Sequence, residues 1–356
     1  MMCGIQHPRP EADTMPRSSS RPTVATIARD LGISPATVSY ALNDKPGVGA
    51  ATRERVLAHA REVGWTPHSG AQALRRGRSG NVGIVLVRDP QEISREPFYS
   101  AVTAGIESST SAHGYELLLR FVTGGTDEEI NVFRTWAERR RVDGVVLLDL
   151  AVSDRRPAVL DSLGLDVAIL GHYVGPEDFV QVATAEAADA ATVVDHVVAQ
   201  GYDACLQLSG PIVHAHEARR VQLVRELCAG HGIPHAHAVT RYTVDDAASA
   251  FTGMDHALSS RPAVIASSDL VALGAVRGAA ALGLRVPEQL GVVSWDDSLV
   301  AEVSAPALTA LDRRPFDMGH LAGDLLVQKI EGGITGGAVL HNDPAKLTLR
   351  ASTAPA

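Results

Sequence analysis

With 356 residues, 45% of them apolar and 21% charged, the chain reads as an ordinary globular protein too long for one core, and two or three domains are expected. No apolar run reaches the length of a membrane span, and three widely spaced cysteines (Cys3, Cys205, Cys228) make no disulfide framework, which fits a reducing cytoplasm. The net charge of −9 argues against nucleic acid until it is divided: residues 1–80 carry 11 Arg and Lys against 6 Asp and Glu, whereas the rest carry 21 against 35, so only the head suits a polyanion.

Residues 1–21 lack the continuous apolar core of a signal peptide and read as a disordered extension, with Met15 an alternative start. Thr23 can cap a first helix carrying Val24, Ile27, Ala28 and Leu31 at helical spacing. Gly32 falls where a helix end favours a left-handed residue, and Ser34-Pro35 then reads as an N-cap followed by a favoured first helical residue. The second helix would turn Val38, Ala41 and Leu42 inward, with Ile33 packing from the turn. A third, over 51–65, would close the core with Val56, Leu57, Ala60 and Val63. Two short helices joined by a glycine turn make a helix-turn-helix, whose second helix enters the DNA major groove.

The stretches TIARDLGISPATVSYALND and TRERVLAHAREVGWTPHSGAQAL closely resemble the headpiece and hinge of the lactose-repressor/galactose-repressor family of bacterial transcription regulators, and the resemblance extends over roughly residues 22–354. It implies base contacts from the first, second and sixth residues of the recognition helix, here Pro35, Ala36 and Tyr40. Arginine is usual at the last position; a tyrosine cannot make arginine's bidentate contact to guanine, so Tyr40 is either a different base reader, the favoured role, or a spectator. Thr37, Ser39, Asn43, Arg53 and Arg55 are candidates for the phosphates. In residues 68–79 the resemblance implies a hinge that folds on the operator, with Leu74 as a minor-groove wedge beside Arg75, Arg76 and Arg78. Gly70 and Gln72 depart from that pattern.

From Asn81 onward, short apolar strands (NVGIVLV, YELLLRF, VDGVVLL, DVAILG, ACLQLSG, AVIASSD, LGVVSWDD) alternate with helical stretches at 98–113, 127–141, 185–200, 217–230, 245–259, 270–282 and 315–331. The fold class expected is therefore an all-α helix-turn-helix headpiece, over 22–67, and an α/β body, over 80–354. The resemblance implies that the body consists of two doubly wound parallel-sheet subdomains of periplasmic-binding-protein type. Crossings are expected near 178–182, 309–312 and 331–336, giving one subdomain of about 80–180 and 312–331 and another of about 181–311 and 332–354.

Ligands of such sheets bind beyond the carboxyl ends of the strands. Positions matched to the family there are Phe98, Tyr99, Arg219, Tyr242, Asp269 and Asp296. Rings covering an apolar face, with Arg and Asp for hydroxyls, fit a polyhydroxyl, sugar-like effector. Each has a plainer alternative: Asp269 as a helix cap, Phe98 as core, Arg219 as the ion-pair partner of Asp296. His214, His216, His231, His235 and His237 lack a completing ligand, so no metal and no cofactor is expected. No glycine-rich phosphate loop, GxSxG or HExxH occurs, so neither is an enzyme. The expected function is a ligand-responsive transcription regulator, most simply a repressor, acting on double-stranded palindromic operator DNA in the cytoplasm. With no leucine heptads after the last body strand, a homodimer rather than a tetramer is expected.

Overall fold

A computed structural model describes residues 22–65, 77–175, 179–254 and 260–353. It divides into two units, residues 1–75 and 76–356.

In the first unit, α1 (Val24–Leu31) begins at Thr23, whose hydroxyl accepts from the Thr26 amide at 3.2 Å while the Thr23 amide donates back to the Thr26 hydroxyl at 3.3 Å. Gly32 ends it at φ 67°, a conformation that costs an L side chain about 1–2 kcal/mol. Its successor's amide closes on Ala28 O at 3.0 Å. Ser34 then caps α2 (Pro35–Leu42) through the Thr37 amide at 3.1 Å. The third helix, α3, covers Ala50–Glu62 and stops short of the expected 65. Ile27, Val38 and Val56 are fully buried at the centre, with Ala28, Ala41 and Ala60 around them. Leu57, expected inside, lies on the surface, because the face set by Val56 and Ala60 already meets the other helices.

The second unit holds two six-stranded sheets. One joins β1 (Asn81–Val87), β2 (Glu116–Val122), β3 (Gly144–Leu147), β4 (Asp166–Leu170), β5 (Val180–Ala183) and β11 (Ala338–His341) in the order β11-β5-β4-β3-β1-β2, all parallel. The other joins β6 (Ala204–Ser209), β7 (His235–Val239), β8 (Pro262–Ala266), β9 (Gly291–Ser294), β10 (Thr309–Asp312) and β12 (Lys346–Thr348) in the order β12-β10-β9-β8-β6-β7, parallel except for β12 against β10.

The last expected crossing needs correction. Val180–Ala183 pairs with β4, so the chain leaves the first sheet after Ala183, next to the expected 178–182, but Ala338–His341 pairs with β5, so it leaves again only after His341 and not near 331–336. Both strands are four residues long, too short for alternation to announce them. Among the described residues ten helices accompany the sheets: α4 (Pro90–Ile93), α5 (Pro97–Ala112), α6 (Gly125–Glu138), α7 (Arg156–Ser162), α8 (Glu186–Ala199), α9 (Ala215–His231), α10 (Val244–Thr252), α11 (Asp269–Ala281), α12 (Leu299–Val303) and α13 (Pro315–Ile330). The helix expected over 245–259 ends at Thr252. Helices α5 and α13 pack almost backbone to backbone: a methyl on Gly105 would stand 2.0 Å from Phe316 O, and one on Gly319 2.1 Å from Val102 O. That contact fixes α13 over the first sheet, where Met318, Ala322 and Leu326 join the core.

Candidate functional site

On the headpiece, Pro35 and Ala36 are exposed in the first turn of α2. Tyr40 is 44% exposed, with the Lys45 ammonium 5.5 Å from its ring centre. Several phosphate candidates also hold local structure. The Thr37 hydroxyl lies 2.8 Å from Ser34 Oγ, and Asn43 Nδ2 donates to the Ser39 carbonyl at 2.6 Å. Arg53 pairs with Asp44 at 2.7 Å and donates to Lys45 O at 2.8 Å, tying α3 to the loop after α2. Arg55 is exposed. Leu74, Arg75 and Arg76, expected in the hinge, lie outside the described residues.

In the body, the carboxyl ends of both sheets face one cleft whose empty space, open mouth included, is about 890 Å³. Arg88 follows β1, Asp149 β3, His172 β4, Thr184 β5, Ser267 and Asp269 β8, Asp296 β9 and Arg313 β10, and all line it. Phe98, Tyr99 and Tyr242 line it as well, so five of the six matched positions converge. The sixth is corrected. Arg219 is outside the lining, its side chain 41% exposed and 3.4 Å from Glu186; the cleft arginine is its neighbour Arg220, 5% exposed. A helix turns about 100° per residue, so a one-residue choice between adjacent arginines exchanges wall for surface.

The plainer alternatives separate on geometry. Ser268, not Asp269, caps α11 through the Val271 amide, and Asp269 accepts instead from Ser294 Oγ at 2.7 Å and the Ser298 amide at 3.1 Å. Asp296 is paired with Arg313, whose guanidinium also lies 4.8 Å from the Phe98 ring centre.

Arg88 joins the two halves of the body. Its guanidinium lies 4.4 Å from the Tyr242 ring centre and 5.2 Å from that of Tyr99, and within 4.0 Å of Asp149 and Glu96. Such stacked cations contribute up to about 2 kcal/mol when desolvated. Tyr242 and Asp149 are both held at positive φ, 61° and 49°, a cost met by their surroundings. Gly210 leaves room for the Tyr242 ring, whose hydroxyl donates to Glu217 at 2.9 Å. Arg156 fixes the loop of Asp149: it donates to the Leu148 and Asp149 carbonyls at 3.1 and 2.9 Å while paired with buried Glu129 and Asp154. At the rim the halves also meet through backbone, with Val152 N–H donating to Val213 O at 3.0 Å and Ala215 N–H to Leu150 O at 2.7 Å.

Burial works against charge on Asp149, Glu217, Glu96 and Asp269, and neighbours decide the outcome. For Asp149 burial is outweighed by Arg88, His216, His214 and the Tyr99 hydroxyl, which hold it at about 2. Glu217 is likewise held at about 2, against burial, by His216, Arg220 and Tyr242. Burial wins at Glu96, pushed up to about 7 despite Arg88, and at Asp269, raised to about 6 with Asp296 adding repulsion.

Arg88, Asp149, Glu186, Glu217, Arg220 and Arg313 escaped the reading of the sequence. A usable signal existed for two of them: Glu217 and Arg220 share helical spacing with the buried Val224 and Cys228. Among the described residues no group of three or more His, Cys, Asp or Glu is arranged to hold a metal, and no helix is long and apolar enough to cross a membrane.

Comparison with known proteins agrees with this architecture. The model of bacterial regulatory proteins of the lacI family matches residues 23–68, and that of periplasmic binding protein-like domains matches residues 194–353. The HTH-type transcriptional regulator CelR of Thermobifida fusca is 30% identical over 336 residues, spanning 92% of this chain and 96% of that protein. The structure of a CelR–cellobiose complex, 29% identical, superposes with a TM-score of 0.72 over 93% of this chain and all of that one. For the fold alone, the Lac repressor dimer bound to operator and the anti-inducer ONPF, 23% identical, gives a TM-score of 0.82 over 94% and 99% of the two chains. A helix-turn-helix headpiece, paired α/β sheets and similarity along nearly the whole length place this chain in the LacI family of DNA-binding bacterial transcription regulators.

Proposed function

We propose that the protein is a repressor that binds a palindromic operator as a homodimer in the cytoplasm and releases or grips it according to a polyhydroxyl metabolite in the body cleft. The observation that carries this reading is the cleft itself, where Phe98, Tyr99 and Tyr242 offer ring faces among Arg88, Arg220, Arg313, Asp269 and Asp296. Rings pack the apolar face of a sugar ring, while charged forks exchange hydrogen bonds with its hydroxyls. The cellobiose bound to CelR supports a sugar as the ligand class.

Because Arg88 and the rim bonds join the two halves, a ligand that favours one relative position of the halves shifts the equilibrium between them by its difference in affinity. In the headpiece, Pro35, Ala36 and Tyr40 would face base edges; Thr37, Ser39, Asn43, Arg53 and Arg55 the phosphates; and Leu74, Arg75 and Arg76 the minor groove. A gel shift on the DNA upstream of the gene, with and without the sugars that raise the melting temperature, tests the whole reading. Binding of that DNA with an affinity altered by such a sugar is the expected result; no preference over random DNA would overturn it.

A further inference from the structure

The wall formed by α8 and α9 carries a group of polar atoms that the protein itself does not satisfy. Glu186, 2% exposed, has ion-pair neighbours in Arg219 and Arg220 at 3.4 and 3.7 Å, yet neither of its oxygens has a hydrogen bond. Glu217, 1% exposed, gives one oxygen to the Tyr242 hydroxyl and leaves the other without a partner. Arg220 Nε, Thr184 Oγ1 and Ser267 Oγ are also buried without partners, and all five residues line the cleft. Buried polar groups are nearly always paired, so this cluster awaits hydrogen bonds from something that enters. What is missing is chiefly donors, since three of the orphaned atoms are carboxylate oxygens.

The balance of carboxyl and guanidinium groups in the lining agrees. Six carboxyl groups (Glu96, Asp149, Glu186, Glu217, Asp269, Asp296) face three guanidinium groups (Arg88, Arg220, Arg313). Each of the three lies within ion-pair reach of at least one of those carboxylates. An entering anion would meet no uncommitted guanidinium in the lining and several carboxylates in a medium that screens poorly.

We propose that Glu186 and Glu217 form an acceptor subsite for the hydroxyls of an uncharged sugar, with Arg220 between them donating to the same ring, and that this subsite excludes sugar phosphates and sugar acids. The inference rests on the sugar-sensing reading above and names the ligand's charge class and the residues that select it.

The test is a thermal-shift and calorimetric series on the full chain, using neutral mono- and disaccharides, cellobiose and glucose among them, beside the 6-phosphates and uronic acids of the same sugars. The expected result is that every stabilising compound is uncharged, and that Glu186→Gln and Glu217→Gln each weaken the strongest of them about ten- to hundredfold. The wild-type series needs no variant, so it decides the charge class even where a substitution fails to fold. Stabilisation by a phosphate or uronate equal to that by its neutral parent would overturn the subsite while leaving a sugar sensor intact. Unchanged affinity in both glutamine variants would do the same. A series without any stabilising member would overturn the sugar reading, and this subsite with it.

Discussion

Arg219 and Arg220 are adjacent in sequence and separate in chemistry, and substitution should divide them cleanly. Arg219→Ala removes a half-exposed charge and leaves Arg220 beside buried Glu186, so it should cost less stability than the loss of Arg220 and leave the sugar titration nearly unchanged. Arg220→Ala takes the buried guanidinium from beside Glu217 and leaves Glu186 only the half-exposed Arg219, so it should cost up to about 3–5 kcal/mol of stability as well as ligand affinity. Equal thermal melts for the two variants would contradict the assignment. Glu96 supplies a pH test. Its carboxyl, raised to about 7 from 4.5, is protonated in the folded state between those values while the unfolded chain is ionised. The folded state therefore binds more protons in that window, and this group's contribution to stability falls as pH rises through it. Relative to wild type, Glu96→Gln should be neutral below pH 4.5 and should gain stability up to pH 7, on the order of 3 kcal/mol at most. A flat difference across that range, measured by urea titration, would remove the buried-acid account. Tyr40→Arg should create a preference for guanine at one operator position, about 1–3 kcal/mol, detectable by selection from a randomised site. An unchanged consensus would make Tyr40 a bystander.

Long helices were legible and several of the short strands were not, for a physical reason. A helix of a dozen residues repeats its apolar stripe three times, and its caps are local, as Thr23, Gly32 and Ser34 illustrate. Val180–Ala183, Ala338–His341 and Lys346–Thr348 carry three or four residues each, and the last two exist only through partners distant in sequence. The absence of Ala338–His341 from the reading displaced the last of the crossings. The site was legible where positions match the family's pattern, at Phe98, Tyr99, Tyr242, Asp269 and Asp296, of which the two aspartates also follow recognisable strands. It was not legible at Asp149 or Arg88, which look like ordinary loop charges until the opposite sheet is brought over them. The same distinction predicts two kinds of glycine damage. Gly32→Ala meets no neighbour and should cost the headpiece only its backbone strain, about 1–2 kcal/mol. Gly105→Ala would drive a methyl into the Phe316 carbonyl, so it should displace α13 and cost more, with the loss confined to the melting of the body.

For the molecule as a whole, the division into two units predicts two melting events, with only the second raised by a saturating sugar, by about 2.7 kcal/mol at a hundredfold excess over Kd. A single cooperative transition would show that the headpiece does not unfold on its own. Light scattering should give about 75 kDa, twice the chain mass of 37.5 kDa, if the assembly is a dimer; a stable tetramer would require an interface not read from the sequence. The rim of the cleft carries a further consequence. Its two bonds run from main chain to main chain, between Val152 and Val213 and between Ala215 and Leu150, while the Val152 and Val213 side chains face solvent. Amide and carbonyl groups are common to every residue but proline, which lacks the donor. The clasp is therefore indifferent to which amino acids hold it, and descendants of this chain are free to exchange the side chains at the strand ends for a new effector without redesigning how the cleft shuts.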